Sequence, residues 1–250
     1  MRFENNSIVV PGGNSGIGRA AAQSFKAEGA KVAILGRDKT TLDETVADLG
    51  VYGQCCDITD RQSLDDFMAD AARANGPFDA LFANAGITGF APFDGHDPAS
   101  FRMVMDVNFQ GTVNTVAAAL PHMKDGASII LTTSIANQMG EPNTVAYAAS
   151  KAAVKSLVST LSTELAPKGI RVNAVSPGPT ATPIFTKMGL VGEAFDQTRA
   201  FVSGVTRANR MGEVADQVEA VLYLASQQSS FVVGQEIVVD GGLTGCASLS

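Results

Sequence analysis

Tryptophan is absent from this 250-residue chain, histidine occurs twice (His96, His122) and cysteine three times (Cys55, Cys56, Cys246). Adjacent Cys55 and Cys56 are poorly placed to bridge each other. An odd count suits a reducing compartment, which points to the cytoplasm. None of these residues has metal-ligand spacing, so no metal centre is expected. No apolar run approaches the roughly 18 residues of a membrane span. The opening Met1-Arg2-Phe3-Glu4-Asn5-Asn6 carries no apolar leader. Excess positive charge is lacking too: 18 Lys and Arg stand against 25 Asp and Glu, a net charge of -7. An acidic surface repels phosphate backbones, which argues against nucleic acid as a partner.

What is present is a regular alternation of short apolar runs with helix-like stretches. Strands are expected at Ser7–Val10, Lys31–Leu35, Val51–Cys56, Phe78–Ala83, Ala127–Thr133, Ile170–Val175 and Glu236–Asp240. Helices are expected at Ile17–Glu28, Lys39–Leu49, Arg61–Ala74, Ala99–Met123, Val145–Ala166 and Glu213–Ala225, with a long irregular segment over Pro177–Arg210. The runs lack the period-two pattern of a half-exposed strand, as expected when helices cover both faces of a parallel sheet. The fold class is therefore α/β: one doubly wound, Rossmann-type unit over residues 1–250, with a seven-stranded parallel sheet. Ligands in such sheets bind beyond the carboxyl ends of the strands, where the strand order switches.

At the first strand–helix junction lies Gly12-Gly13-Asn14-Ser15-Gly16-Ile17-Gly18. Gly12 permits a tight turn, Gly16 a close backbone approach to a pyrophosphate, and Gly18 close helix–strand packing. The helix start adds free N–H groups and the positive dipole end. A dinucleotide cofactor is the expected ligand. After the second strand come Gly36 and Arg37, where a carboxylate would favour NAD. A guanidinium there can instead grip a 2′-phosphate, so NADP(H) is favoured, with NAD(H) possible. Asp38 is the neighbouring acid. Asp57 can accept a bond from the adenine amino group with Ile58 packing nearby; the alternative is that Asp57 or Asp60 caps the following helix. Asn84-Ala85-Gly86 lets the backbone run beside the cofactor ribose.

Tyr147 and Lys151 are four apart in a helical stretch and share one face. Ser134 lies thirteen residues upstream, and Asn108 earlier still. A free phenol titrates near 10, so service as a base at neutral pH needs a lowering worth roughly 3–4 kcal/mol. A unit charge about 4 Å away supplies roughly 4 kcal/mol at an effective dielectric of 20. Lys151, helped by an oxidised nicotinamide, is sufficient in magnitude; it can also hold the ribose hydroxyls. Ser134 can hydrogen-bond the substrate oxygen. Asn108 can hold a water that links Lys151 to solvent.

Taken together, the chain resembles the short-chain dehydrogenase/reductases over nearly its full length. Gly12-x-x-x-Gly16-Ile17-Gly18, Asn84-Ala85-Gly86, Asn108, Ser134, Tyr147-x-x-x-Lys151, Pro177-Gly178 and Asp240-Gly241-Gly242 carry the resemblance. It implies a catalytic tetrad of Asn108, Ser134, Tyr147 and Lys151, with Tyr147 as acid or base during hydride transfer. It also implies that Pro177, Gly178 and Thr182 hold the carboxamide end of the nicotinamide, and that the assembly is a homotetramer. One departure is Pro11, where the family usually has threonine. Proline brings neither N–H nor hydroxyl, so a tie to the Asn84 loop and some cofactor affinity should be lost.

The segment 183–210 is placed to be a lid over the substrate. Its Ile184, Phe185, Met188, Leu190, Phe195 and Phe201 join Ile87, Phe90 and Phe93 as candidates for an apolar pocket, next to Gln138, Met139 and Glu141. A small ketone or secondary alcohol is the expected substrate. A 3-oxoacyl group on an acidic carrier protein is an alternative; Lys187, Arg199, Arg207 and Arg210 are its candidate contacts. NAD-dependent oxidation of a polyol, steroid or hydroxy acid is another, and a nucleotide sensor without turnover a third.

Overall fold

A computed structural model describes residues 1–246. The strands are β1 (Ser7–Pro11), β2 (Lys31–Gly36), β3 (Tyr52–Cys55), β4 (Phe78–Ala83), β5 (Met123–Thr132), β6 (Arg171–Pro177) and β7 (Glu236–Val239). They form one parallel sheet in the order β3-β2-β1-β4-β5-β6-β7. The order switches direction between β1 and β4, which opens a crevice where the Gly12 turn and the Asn84 loop leave the sheet.

Side chains alternate across the sheet and feed two cores. Val9, Leu35, Leu81 and Ile129 join Leu64, Phe67 and Met68 of α3 (Arg61–Asn75), Val116 of α5 (Gly111–Ala119) and Val154 and Val158 of α6 (Val145–Leu165). On the other face Ile8, Val10, Ile34 and Phe82 pack on Phe25 of α1 (Gly16–Ala27), Leu42 of α2 (Lys39–Leu49) and Val218, Val221 and Leu222 of α9 (Val214–Ala225). Each such side chain contributes about 1.5–3 kcal/mol by leaving water. The helix starts are capped by carboxylates: Asp38 accepts from Thr41 N at 2.8 Å, and Asp60 from Ser63 N at 3.2 Å.

Two expected elements differ. The single helix over Ala99–Met123 is instead α4 (Pro98–Met105), a wide π-type turn at Asp106–Gln110, α5, and a short 3₁₀ turn at Leu120–His122. Pro121 lacks the N–H that a continuing helix needs, and β5 starts at Met123, ahead of the expected Ala127. The segment Pro177–Arg210 holds two helices, α7 (Pro183–Lys187) and α8 (Glu193–Val205). Phe185 and Phe195 pack edge to face, with centroids 5.6 Å apart, and join them. No helix among the described residues is long and apolar enough to cross a membrane.

Candidate active site

The glycine turn is shaped by close contacts. Gly12 has φ +74°, and a Cβ there would lie 2.9 Å from Ala85 Cα. At Gly18 a Cβ would meet the Gly12 carbonyl oxygen at 2.3 Å. Only glycine lets α1 begin this near β1. Ser15 stands at the N-cap of α1 with no capping bond from its side chain, and Ile17 packs partly against the core below. The cradle that a bare backbone leaves here fits a dinucleotide pyrophosphate. Thr182 and Pro183, at the start of α7, come within 3.6 and 3.8 Å of the Cβ position of Gly16. Pro177 ends β6, and Gly178 N donates to Val239 O at 2.9 Å, so this segment reaches the cradle from the far side of the crevice.

Pro11 ends β1, and the ladder continues through Gly12 N to Leu35 O at 2.9 Å. The tie expected to be lost is present through other atoms: Asn84 Nδ2 donates to Gly12 O at 3.4 Å. Asn14 donates to Thr41 Oγ1 at 2.8 Å and covers Gly36, whose Cβ position is 2.4 Å from Asn14 Oδ1. A side chain at position 36 would require Asn14 to swing aside, and Asp38 is engaged as the α2 cap. Arg37 faces Asp57 across 3.6 Å, and both line a cleft of about 370 Å³ with Thr59, Arg102 and Asp106. Asp57 also accepts from Thr59 N and Oγ1 at 2.9 and 2.8 Å; the α3 cap is Asp60. Burial pulls the Asp57 pKa upward, but these donors and Arg37 outweigh it and hold it below the usual value. Ile58 is buried beneath Gly111, whose Cβ position is 2.6 Å from Ile58 Cδ1.

Tyr147 and Lys151 sit one turn apart on α6, with Lys151 Nζ 5.8 Å from the phenol ring centroid. Ser134 ends the β5 connection and starts the short turn Ile135–Asn137. Its Oγ accepts from Ala136 N at 3.3 Å, which leaves its own O–H to donate. The bond between Ser134 and the Tyr147 hydroxyl pulls the phenol pKa down, but desolvation pushes it up, Glu141 pushes the same way, and the net direction is upward. This corrects the expected lowering by Lys151. The ammonium is buried, donates to Thr132 O at 2.8 Å, and has its own pKa lowered to about 8 by that burial. Tyr147 in the protein alone is thus poised as a proton donor at neutral pH.

Asn108 is engaged within the protein. Its amide is fully buried; Oδ1 accepts from Ile87 N at 2.8 Å, while Nδ2 donates to Ile87 O at 2.9 Å and Ser150 Oγ at 3.0 Å. Ser150 in turn donates to Tyr147 O at 2.7 Å. The side chain bolts the Asn84-Ala85-Gly86 loop to α6. Gly86 accordingly sits beside the site: its Cβ position is 3.6 Å from Lys151 Nζ.

Among the pocket candidates, Phe90 meets Tyr147 edge to face at 5.6 Å, and Ala91 N donates to Asn143 O at 2.9 Å across the mouth. Phe93 and Phe201 are exposed, and Phe93 stacks on His96, away from the phenol. Arg199 pairs with Glu213 at 2.9 Å and Arg210 with Asp216 at 2.6 Å. The Lys187 side chain lies outside the described residues.

The family profile described as Enoyl-(Acyl carrier protein) reductase matches residues 12–244, which span the glycine cradle, the Ser134–Tyr147–Lys151 group and the Asp240-Gly241-Gly242 turn. The chain belongs to the short-chain dehydrogenase/reductase family. It is 32% identical to 2-(S)-hydroxypropyl-CoM dehydrogenase 3 of Xanthobacter autotrophicus, covering 97% of this chain and 98% of that protein. It is 33% identical to the 3-oxoacyl-acyl-carrier-protein reductase FabG of Thermotoga maritima, covering 97% and 99%. A solved short-chain dehydrogenase/reductase, glucose/ribitol dehydrogenase, from Brucella melitensis superposes with a TM-score of 0.92 at 32% identity, over 98% of this chain and 99% of that one. Membership makes this short-chain dehydrogenase/reductase an NAD(P)-dependent oxidoreductase.

One polar cluster beside the site was not foreseen. Glu236 of β7 meets Thr133, Asn137 and Lys155, which lie about 80 to 100 positions away in sequence. The one available signal was an acidic residue inside an otherwise apolar strand.

Proposed function

We propose that this enzyme reduces small apolar ketones to secondary alcohols, with a preference for NADP(H). The observation that carries the reading is the convergence of Ser134, Tyr147 and Lys151 beside the glycine cradle. When bound, the cofactor supplies the hydride. Ser134 donates to the carbonyl oxygen and so favours the charge that develops there. Tyr147, held protonated, delivers its proton to that oxygen. Lys151 holds the ribose hydroxyls and, while charged, stabilises the phenolate that Tyr147 becomes. Phe90 keeps water from the phenol and gives the pocket an apolar wall. Asn108 positions the loop between cofactor and helix.

The NADP(H) preference rests on Gly36, which brings no ribose-binding carboxylate, and on Arg37 at the cleft edge. Arg37 offers five N–H groups, so one long contact to Asp57 leaves donors for a 2′-phosphate. A carrier-borne substrate is the alternative: Arg199, half-exposed and bonded to Glu213 through one nitrogen, keeps donors for it. A homotetramer and a cytoplasmic location remain part of this reading.

The test is NADPH consumption by the purified protein with a panel of cyclic and aryl ketones, with NADH in parallel. Turnover of at least one ketone, at higher kcat/KM with NADPH, is expected. Cofactor binding without turnover of any carbonyl compound would overturn the reading in favour of a sensor.

A further inference from the structure

Behind Ser134 lies a buried carboxylate that the proposed chemistry does not use. Glu236, on the edge strand β7, has a side chain only 9% exposed. Its Oε1 accepts from Thr133 Oγ1 at 2.6 Å and from Asn137 Nδ2 at 2.6 Å. Its Oε2 pairs with Lys155 Nζ at 2.6 Å. Thr133 and Asn137 bracket Ser134 at the two ends of one short turn. Lys155 is on α6, one turn beyond Lys151 and two beyond Tyr147.

We propose that Glu236 is a positioning residue for Ser134, a clamp that ties both ends of the Ser134 turn to β7 and to the helix carrying Tyr147 and Lys151. This rests on the proposed carbonyl chemistry. The near end of the turn has other ties: Thr133 N and Oγ1 donate to Val175 O at 3.0 and 3.1 Å, and Lys151 Nζ of α6 donates to Thr132 O at 2.8 Å. The far end is closed locally by Asn137 N donating to Ser134 O at 3.0 Å, and Glu236 adds a cross-link from Asn137 to α6. One oxygen takes two donors from the turn while the other takes the helix ammonium, so turn and helix share one rigid group. Charge-assisted bonds of this kind are stronger than neutral ones. Their cost, a desolvated carboxylate, is offset by three donors, of which one is cationic.

Catalytic geometry is sensitive to small displacements, and a shift of about 1 Å costs up to roughly a hundredfold in rate. Glu236→Ala removes the Glu236 tie from both ends of the turn. Glu236→Gln keeps an acceptor for Thr133 and Asn137 but discards the charge. With the ketone that the wild-type enzyme reduces fastest, Glu236→Ala is expected to lose about tenfold to a hundredfold in kcat with NADPH affinity unchanged. Glu236→Gln should recover most of that loss. A second readout needs no turnover. The ultraviolet titration of Tyr147, assigned by subtracting the Tyr147→Phe protein, should move to higher pH in Glu236→Ala, because the Ser134 bond that pulls it down is weakened, and move little in Glu236→Gln.

Two results would overturn the clamp. One is kcat for Glu236→Ala within twofold of wild type with an unmoved Tyr147 titration. The other is an equal loss in both variants that tracks their folded fraction by circular dichroism. If Glu236→Ala does not fold, Asn137→Ala takes its place, which cuts the far-end tie to Glu236; kcat and the Tyr147 titration should move in the same directions. Should the wild-type protein reduce no ketone, the proposed function fails, while the Tyr147 titration still decides whether Glu236 sets the Ser134–Tyr147 bond.

Discussion

Lys151 donates its ammonium to the carbonyl oxygen of Thr132 at 2.8 Å, from a position that is 4% exposed and with its pKa lowered to about 8. The folded protein thus carries a desolvated cation that an unfolded chain would hold at its ordinary value of 10.5. Below pH 8 both states are protonated and folding bears the full cost. As pH rises from 8 towards 10.5 the unfolded state binds more protons, so the penalty fades. The penalty at neutral pH is about 3 kcal/mol, and the lost bond to Thr132 returns about 1 kcal/mol of it. Lys151→Met should therefore be inactive yet about 2 kcal/mol more stable than wild type at pH 7. Denaturant unfolding at a series of pH values checks this; a Lys151→Met protein less stable than wild type at pH 7 would contradict it.

The same group predicts the pH dependence of ketone reduction. Lys151 in the free enzyme loses its charge near pH 8, and with it the stabilisation of the phenolate. kcat/KM should be level below that pH and fall above it. A profile that rises from pH 8 to 9 would count against an acid role for Tyr147.

Arg37→Ala should raise the KM for NADPH about tenfold or more, since a charge-assisted bond to phosphate is worth about 1.5–3 kcal/mol. The KM for NADH should change less than about twofold, because NADH lacks the phosphate that Arg37 grips. Steady-state kinetics with both cofactors measures the contrast. Equal losses for both would remove Arg37 from the phosphate site.

Gly18→Ala puts a methyl 2.3 Å from the Gly12 carbonyl oxygen. Relief requires α1 to move off the turn, at a cost of about 1–3 kcal/mol in stability. Cofactor affinity should fall further than stability, because the displaced helix start is the phosphate cradle. Thermal unfolding and NADPH fluorescence titration on the same protein separate the two.

How much of this was legible in the chain differs by kind of feature. The seven strands, their parallel pairing and the Gly12–Gly18 cradle follow from local runs and from spacing, so sequence shows them directly. The break in the Ala99–Met123 stretch does not, because nothing local marks the widened turn at Asp106–Gln110, where Asn108 bonds to the distant Ile87. The helices within 177–210 were hidden behind Pro183 and Gly192, though Pro183 is a good first helical residue. The raised Tyr147 pKa was missed because spacing shows the nearness of Lys151 but not the burial of either group. Glu236 lies beyond any local reading, since its three partners come from two distant segments.

The central claim is that the Tyr147 hydroxyl is the proton donor to the substrate oxygen, and Tyr147→Phe tests it most directly. With NADPH and the ketone that wild type reduces best, the phenylalanine protein is predicted to bind NADPH normally while kcat falls by at least about a hundredfold. A kcat within a few fold of wild type, with unchanged NADPH binding, would contradict it.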